Sequence, residues 1–149
     1  MHLLTPVLAV LVWLAPLAAS ADTSTKTVTI QAAAVTKRPI HRGDRFEVEL
    51  KTRNTTATKQ RFELMSCGWV ETWRTDDAQL RSEKANCDKN VPSVLELAPG
   101  AVDIRSITLT VQPDASLGAH AVRLGFTPPG TKAPIWSNSI TVAVIAVTR

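Results

Sequence analysis

Apolar and polar residues alternate along most of the chain beyond residue 26, which is the pattern of β-strands that bury one face. The clearest example is residues 45–51, where Phe46, Val48 and Leu50 share one face and charged residues occupy the other. Segments of related pattern lie at residues 26–30, 61–67, 94–97, 102–111, 118–126 and 135–147. No segment shows a convincing helical period, so the sequence predicts an all-β fold.

Turn-forming residues separate these segments. Pro39 and Gly43 precede residues 45–51, and Pro–Gly pairs occur at residues 99–100 and 129–130. Proline fixes one backbone torsion and glycine accepts a positive φ, so each site favours a change of chain direction. Seven strands at short spacing, with no helix between them, predict an antiparallel sandwich rather than a parallel sheet.

Two local features follow from the same pattern. Residues 45–51 and 61–67 lie on either side of a turn at Asn54, and we expect them to form a hairpin with one exposed face. Within residues 102–111 the apolar face changes phase near Arg105. That change predicts a β-bulge or a bend between two sheets.

Three motifs carry a resemblance to a known group of domains. GDRFEVEL at residues 43–50, LAPG at residues 97–100 and LGAHAVRLGF at residues 117–126 resemble bacterial secreted immunoglobulin-like and fibronectin-type-III-like modules. The resemblance implies a seven-stranded antiparallel immunoglobulin-like sandwich. Antibody-type domains differ, because this chain contains no Tyr and its cysteines flank a loop. The group includes adhesion, enzyme-accessory and inhibitor-like domains, so the fold implies no single function.

The first 21 residues predict export. An apolar run over residues 3–19 leads to Ala19 and Ala21, whose small side chains suit signal peptidase. We expect cleavage after Ala21, a flexible leader over residues 22–27 and one sandwich domain over residues 28–149. The run is short and interrupted by prolines, which argues against a membrane anchor. We therefore expect no membrane span in the protein after cleavage. The predicted location is secreted or periplasmic.

The chain has two cysteines, Cys67 and Cys87, both in the exported part. In an oxidising compartment such a pair predicts one disulfide. The bond would close a long loop between two strands, and loops of this length are usually functional or disordered. The alternative is a metal site that combines His41 and His120 with Met65 or with the two cysteines.

Trp69 and Trp73 make the Cys67–Cys87 loop the candidate binding site. Each indole offers a large rigid face and one N–H donor, and the neighbouring Glu71 and Arg74 can orient a partner. In the alternative interpretation the two tryptophans pack together as a small core of the loop. Trp136 is expected to cover the same end of the sandwich or to cap its core.

These features favour a secreted, non-enzymatic module that binds a protein or glycan of the envelope or exterior, for example by docking on or inhibiting an exported protein. The alternative functions are periplasmic metal binding and a structural role through exposed strand edges. The sequence contains no recognisable catalytic, cofactor or nucleic-acid-binding motif. His120 is expected to lie partly buried near a strand end.

The basic residues are unevenly distributed. The formal net charge is +4, and the positive side chains concentrate in residues 37–61. This stretch could contact an anionic surface, but a solvated strand face is the simpler interpretation.

Overall fold

The computed structural model describes residues 27–36, 38–84 and 87–146. The predicted signal peptide (residues 1–21) and most of the predicted leader lie outside the described residues. The described part is all-β, with one 3₁₀ helix at Gly68–Thr72. Its strands are β1 (Val28–Ala34), β2 (Ile40–His41), β3 (Arg45–Asn54), β4 (Gln60–Met65), β5 (Trp73–Thr75), β6 (Leu80–Ser82), β7 (Pro92–Leu97), β8 (Val102–Val111), β9 (Gly118–Val122), β10 (Leu124–Phe126), β11 (Ile135–Trp136) and β12 (Ile140–Ile145).

These strands form four sheets instead of the two expected for a seven-stranded immunoglobulin-like sandwich. The strand orders are β1-β3-β8-β6, β11-β10-β5, β2-β12-β9 and β4-β7. All pairings are antiparallel except that of β2 with β12. The predicted strands are interrupted where side chains take over backbone hydrogen bonds. For example, only Arg123 separates β9 from β10, and its N–H donates to the Asp76 carboxylate at 2.7 Å.

Buried apolar side chains from all four sheets form one hydrophobic cluster. The predicted inward residues of β3, Phe46, Val48 and Leu50, are all buried there. Alternation along β3 and β12 follows the expected period of two. The sequence pattern therefore identified the buried face of β3 correctly.

The predicted hairpin between residues 45–51 and 61–67 is wrong. Strand β3 pairs with β1 and β8, whereas β4 pairs with β7. The reason is Asn54, whose buried side-chain amide donates to the carbonyls of Thr58 and Leu97 at 2.8 and 2.9 Å. These bonds hold the connection in a conformation that moves the chain into another sheet.

The predicted phase change in residues 102–111 is also wrong. Strand β8 keeps one register with β3 from Arg45↔Thr110 to Arg53↔Val102, without a bulge. Val102 and Ile104 instead lie exposed on the outer face. The inner position of Arg105 is stabilised by Asp103, whose carboxylate accepts its Nε–H at 2.7 Å, and by the Trp69 ring.

Candidate functional site

The structure contains the Cys67–Cys87 disulfide, with the two Cα atoms 6.3 Å apart. Such a bond is consistent with folding in an oxidising compartment. Among the described residues, no helix has the length and apolar character needed to cross a membrane.

The segment between the cysteines is not the simple loop that the sequence predicts. It contains the 3₁₀ helix and two strands, β5 and β6. Strand β5 pairs with β10, and β6 pairs with β8, so the segment passes from one sheet to another. Short strands of three residues carry too little alternation to be recognised in a sequence.

Asn90 fixes the start of the 3₁₀ helix beside the disulfide. Its side-chain oxygen accepts the backbone N–H groups of Cys67 and Gly68 at 3.1 and 3.0 Å. The absence of a side chain at Gly68 allows this close approach, because a Cβ there would lie 2.9 Å from Asn90 Nδ2. Asn90, which follows Cys87, therefore fixes the backbone at the start of the 3₁₀ helix.

Trp73 belongs to the main core rather than to a separate core of the loop. It is 7% exposed, and its ring centroid lies 5.3 Å from that of Phe126. Phe62 contacts the same Phe126 ring edge-on at 5.4 Å. Trp73 is thus positioned to stabilise the fold, and little of its surface remains for a partner.

Trp69 is half-buried and packs against the edge of the core. The Arg105 guanidinium lies 4.9 Å from the centroid of its ring, within the range of a cation–π contact. Glu71, two residues further on, is exposed. The 3₁₀ helix therefore presents an indole and a carboxylate on the surface.

A groove lies between the 3₁₀ helix and the chain that follows β6. It consists of two adjoining hollows of about 350 and 190 Å³. The predicted residues Trp69, Glu71 and Trp73 all contribute to its lining. The opposite side is formed by residues 82–84 and by residues 106–108 of β8. We refer to this feature as the η-groove.

The η-groove runs along the outer edge of β6, where the Leu80 N–H donates to the Asp77 carbonyl and the Leu80 carbonyl accepts the Thr75 hydroxyl. Strand β6 is the last strand of its sheet. The Glu83 N–H donates to the carbonyl of Thr108 at 3.0 Å. Because hydrogen-bonded pairs alternate in an antiparallel ladder, the N–H and C=O of the preceding residue, Ser82, point away from β8. Ser82 also lines the groove.

Charged side chains surround the η-groove. The Glu83 carboxylate accepts the Thr110 hydroxyl at 2.6 Å and pairs with Arg45, and these two contacts lower its pKa. Lys84 lies next to it and Glu71 opposite. The groove therefore has both signs of charge near the apolar side chains of Val70 and Trp73.

Arg74, the fourth predicted binding residue, does not line the η-groove. It is exposed on the other face of β5, and its guanidinium lies 5.5 Å from the centroid of the Trp136 ring. Arg123 lies 5.2 Å from the same centroid. Arg123 was not predicted from the sequence, because the pattern of its strand does not distinguish it from any other exposed arginine.

His120 lies in a Ser–His–Asp arrangement that the sequence did not reveal. Its Nδ1 is 2.8 Å from Asp77 Oδ2, and its Nε2 is 2.9 Å from the carbonyl oxygen and 3.4 Å from the hydroxyl of Ser116. Both ring nitrogens therefore face acceptors, and the Ser116 carbonyl together with Asp77 raises the pKa of His120. The Ser116 hydroxyl lies 3.0 Å from the Gln79 side-chain oxygen and donates to it. These contacts favour the protonated imidazole, and Nε2 lies closer to the Ser116 carbonyl than to its hydroxyl.

The two cysteines are not available as thiolate ligands for the alternative metal site, because both are in the disulfide. His41 lies on strand β2, and its Nδ1 is 3.3 Å from the Asp44 carboxylate. His120 lies on β9 and contacts Asp77 instead. Within the described ranges, no group of three or more His, Cys, Asp or Glu side chains is placed to hold a metal ion.

Much of the basic stretch at residues 37–61 is neutralised by nearby carboxylates. The pairs on the described residues are Arg45–Glu83, Lys51–Glu49, Lys59–Glu96 and Arg61–Glu63. Exposed pairs of this kind contribute little to stability, but they reduce the local potential. The arrangement fits a solvated strand face.

No protein-family model and no curated protein matches the sequence. Solved structures with some similarity include the part of native alpha-2-macroglobulin from Escherichia coli that spans domain MG7 to the C-terminus, at 14% identity and a TM-score of 0.45. Another is a β-glucosidase from Erythrobacter marinus, at 11% identity and a TM-score of 0.43. The matches cover 80% and 79% of this chain but only 17% and 16% of those chains. Similarity at this level carries no argument about function.

Proposed function

We propose that this protein is a secreted or periplasmic binding module, and that its η-groove takes an extended segment of another exported protein. The observation that carries this proposal is a groove that places the apolar side chains of Trp69 and Val70 near the backbone of Ser82 at the edge of a sheet. Its larger hollow, about 350 Å³, has the volume of sites that take small ligands or a few side chains.

An extended chain suits the η-groove because its backbone can pair with the edge of β6 at Ser82. Strand addition of this kind gains affinity from main-chain hydrogen bonds, and alternate side chains enter adjacent pockets. Trp69 and Val70 supply apolar contact on the opposite wall. The mixed charges of Glu71, Glu83 and Lys84 would select the register of the bound segment.

The disulfide supports the same function. It joins the chain before the 3₁₀ helix to the chain after β6, so it links the two walls of the groove. A wall that is ordered before binding loses less conformational entropy when the partner docks. The groove is therefore pre-organised, as expected for a docking or inhibitory module.

The proposal is tested with a library of extended decapeptides displayed on phage, selected against the whole exported protein. Selected peptides are expected to lose at least tenfold in affinity for the Trp69→Ala and Glu71→Arg variants. Glu63→Arg is the matched control, because Glu63 is an exposed carboxylate on β4 and does not line the groove. Equal affinity for Glu71→Arg and the unmodified protein would overturn the proposal.

A further inference from the structure

A second surface, separate from the η-groove, lies on the outer face of β5, β10 and β11. Gly125 of β10 is flanked in register by Arg74 of β5 and Trp136 of β11. The three residues therefore share one face of the sheet. We refer to Arg74, Arg123 and Trp136 as the arginine–tryptophan cluster.

The Trp136 ring lies directly over Gly125. A Cβ at Gly125 would be only 2.8 Å from ring atoms Cε3 and Cζ3. Pro134 closes the same place, with its Cβ at 3.1 Å from that position. The absence of a side chain at Gly125 thus allows the half-buried indole to pack closely against the sheet.

Arg123 is held in place by Asp76. The carboxylate accepts the Arg123 backbone N–H at 2.7 Å and its Nε–H at 2.8 Å. Burial acts to raise the pKa of Asp76, but these bonds outweigh it and lower the pKa, so the carboxylate stays ionised. The charge of Arg123 is therefore locally neutralised.

Arg74 is different, because its charge has no such partner. It is exposed, and within the described residues no carboxylate lies within ion-pair distance of it. Its guanidinium contacts the Trp136 ring. A guanidinium next to an aromatic ring keeps its in-plane N–H donors available for an anion.

We propose that the arginine–tryptophan cluster binds an acidic polysaccharide, with Arg74 bound to a uronate carboxylate and the exposed part of the Trp136 indole packed against a sugar ring. Charge complementarity supports this occupant, since the uncompensated cation of Arg74 lies beside a fixed, half-exposed aromatic face. A planar guanidinium forms two parallel hydrogen bonds with a carboxylate. The formal net charge of +4 also attracts a polyanion at longer range.

A membrane surface is a poorer fit. Anchoring to anionic lipid relies on clustered cations with apolar side chains that enter the bilayer. Here the Asp76 carboxylate neutralises the charge of Arg123, and the Trp136 ring packs against Gly125 of the sheet.

The test is titration of the whole exported protein with oligogalacturonate at low salt, followed by calorimetry and by the indole N–H resonances in NMR spectra. We expect the Trp136 resonance to shift, Arg74→Gln to weaken binding at least tenfold, and Arg74→Lys to weaken it three- to fivefold. Neutral dextran of equal length should not bind.

The matched control is Arg53→Gln, which removes the same charge from an exposed position on β3. It should weaken oligogalacturonate binding less than twofold. Equal weakening by Arg53→Gln and Arg74→Gln would overturn the proposal, because binding would then depend on net charge alone. Failure to bind oligogalacturonate, or binding only to vesicles containing anionic lipid, would overturn it as well. Since none of these variants lies in the η-groove, peptide binding there should be unchanged.

Discussion

The two faces of β5, β10 and β11 have opposite chemistry. On the inner face, Trp73 lies opposite Phe126 and packs against it in the core. One residue further along, on the outer face, Arg74 and Trp136 flank Gly125. The same residue type, tryptophan, therefore stabilises the fold on one face and remains available for recognition on the other. Strand phase, not residue identity, decides which role it has.

Truncation of the two tryptophans should separate these roles most strongly. Trp73→Ala removes a buried ring that contacts Phe126, and we expect the free energy of unfolding to fall by about 3 to 5 kcal/mol. Trp136→Ala removes a half-buried ring and its cation–π contacts, at a cost of about 1 kcal/mol. Urea unfolding of both variants measures the difference. Equal losses would show that the outer indole also acts as core.

Removal of the disulfide tests whether the groove side depends on the crosslink more than the outer face does. The bond closes a sequence separation of 20 residues. In the loop-entropy description, Cys67→Ser with Cys87→Ser should lower the free energy of unfolding by about 3 kcal/mol. NMR shifts should change at Trp69 and hardly at Trp136. Changes of similar size at both indoles would contradict a local role for the bond.

Replacement of Gly125 perturbs the outer face without touching the inner one. A Cβ in Gly125→Ala would displace the Trp136 ring, and we expect a loss of about 1 to 2 kcal/mol in urea unfolding. The same substitution in a Trp136→Ala background should cost less, because the overlapping ring is gone and only the Pro134 Cβ, at 3.1 Å, remains close. An equal cost in both backgrounds would show that the strain does not come from the Trp136 ring.

The sequence predicted the inner face better than the outer one. Alternation in β3 places Phe46, Val48 and Leu50 in the core because period two and burial are the same signal. It failed where polar side chains override the pattern, as Asn54 does at the end of β3 and Arg105 does in β8.

The candidate sites were also predicted only in part. Trp69 and Glu71 were predicted because they are close in sequence to the disulfide. The pairing of Arg74 with Trp136, and of His120 with Asp77, depends on contacts across strands that are distant in the chain. Such contacts are set by sheet order, which alternation does not encode.

His120 is a buried polar residue that makes stability depend on pH. Its ring is buried on β9 and faces the Asp77 carboxylate and the Ser116 carbonyl, contacts that raise its pKa above the ordinary 6.5. A group whose pKa is raised by folding stabilises the native state fully below its unfolded pKa. That contribution is lost as pH rises from about 6.5 through the folded value.

The free energy of unfolding should therefore decrease over this pH range, by less than in the substitutions above. His120→Gln should remove this part of the slope, and Asp77→Asn should reduce it because the ring then lacks its anionic partner. Urea unfolding at a series of pH values that begins below the ordinary pKa of 6.5 and continues above it measures the effect. An unchanged slope in His120→Gln would show that another group titrates. In that case the charge of His120 would not contribute to the pH dependence of the free energy of unfolding.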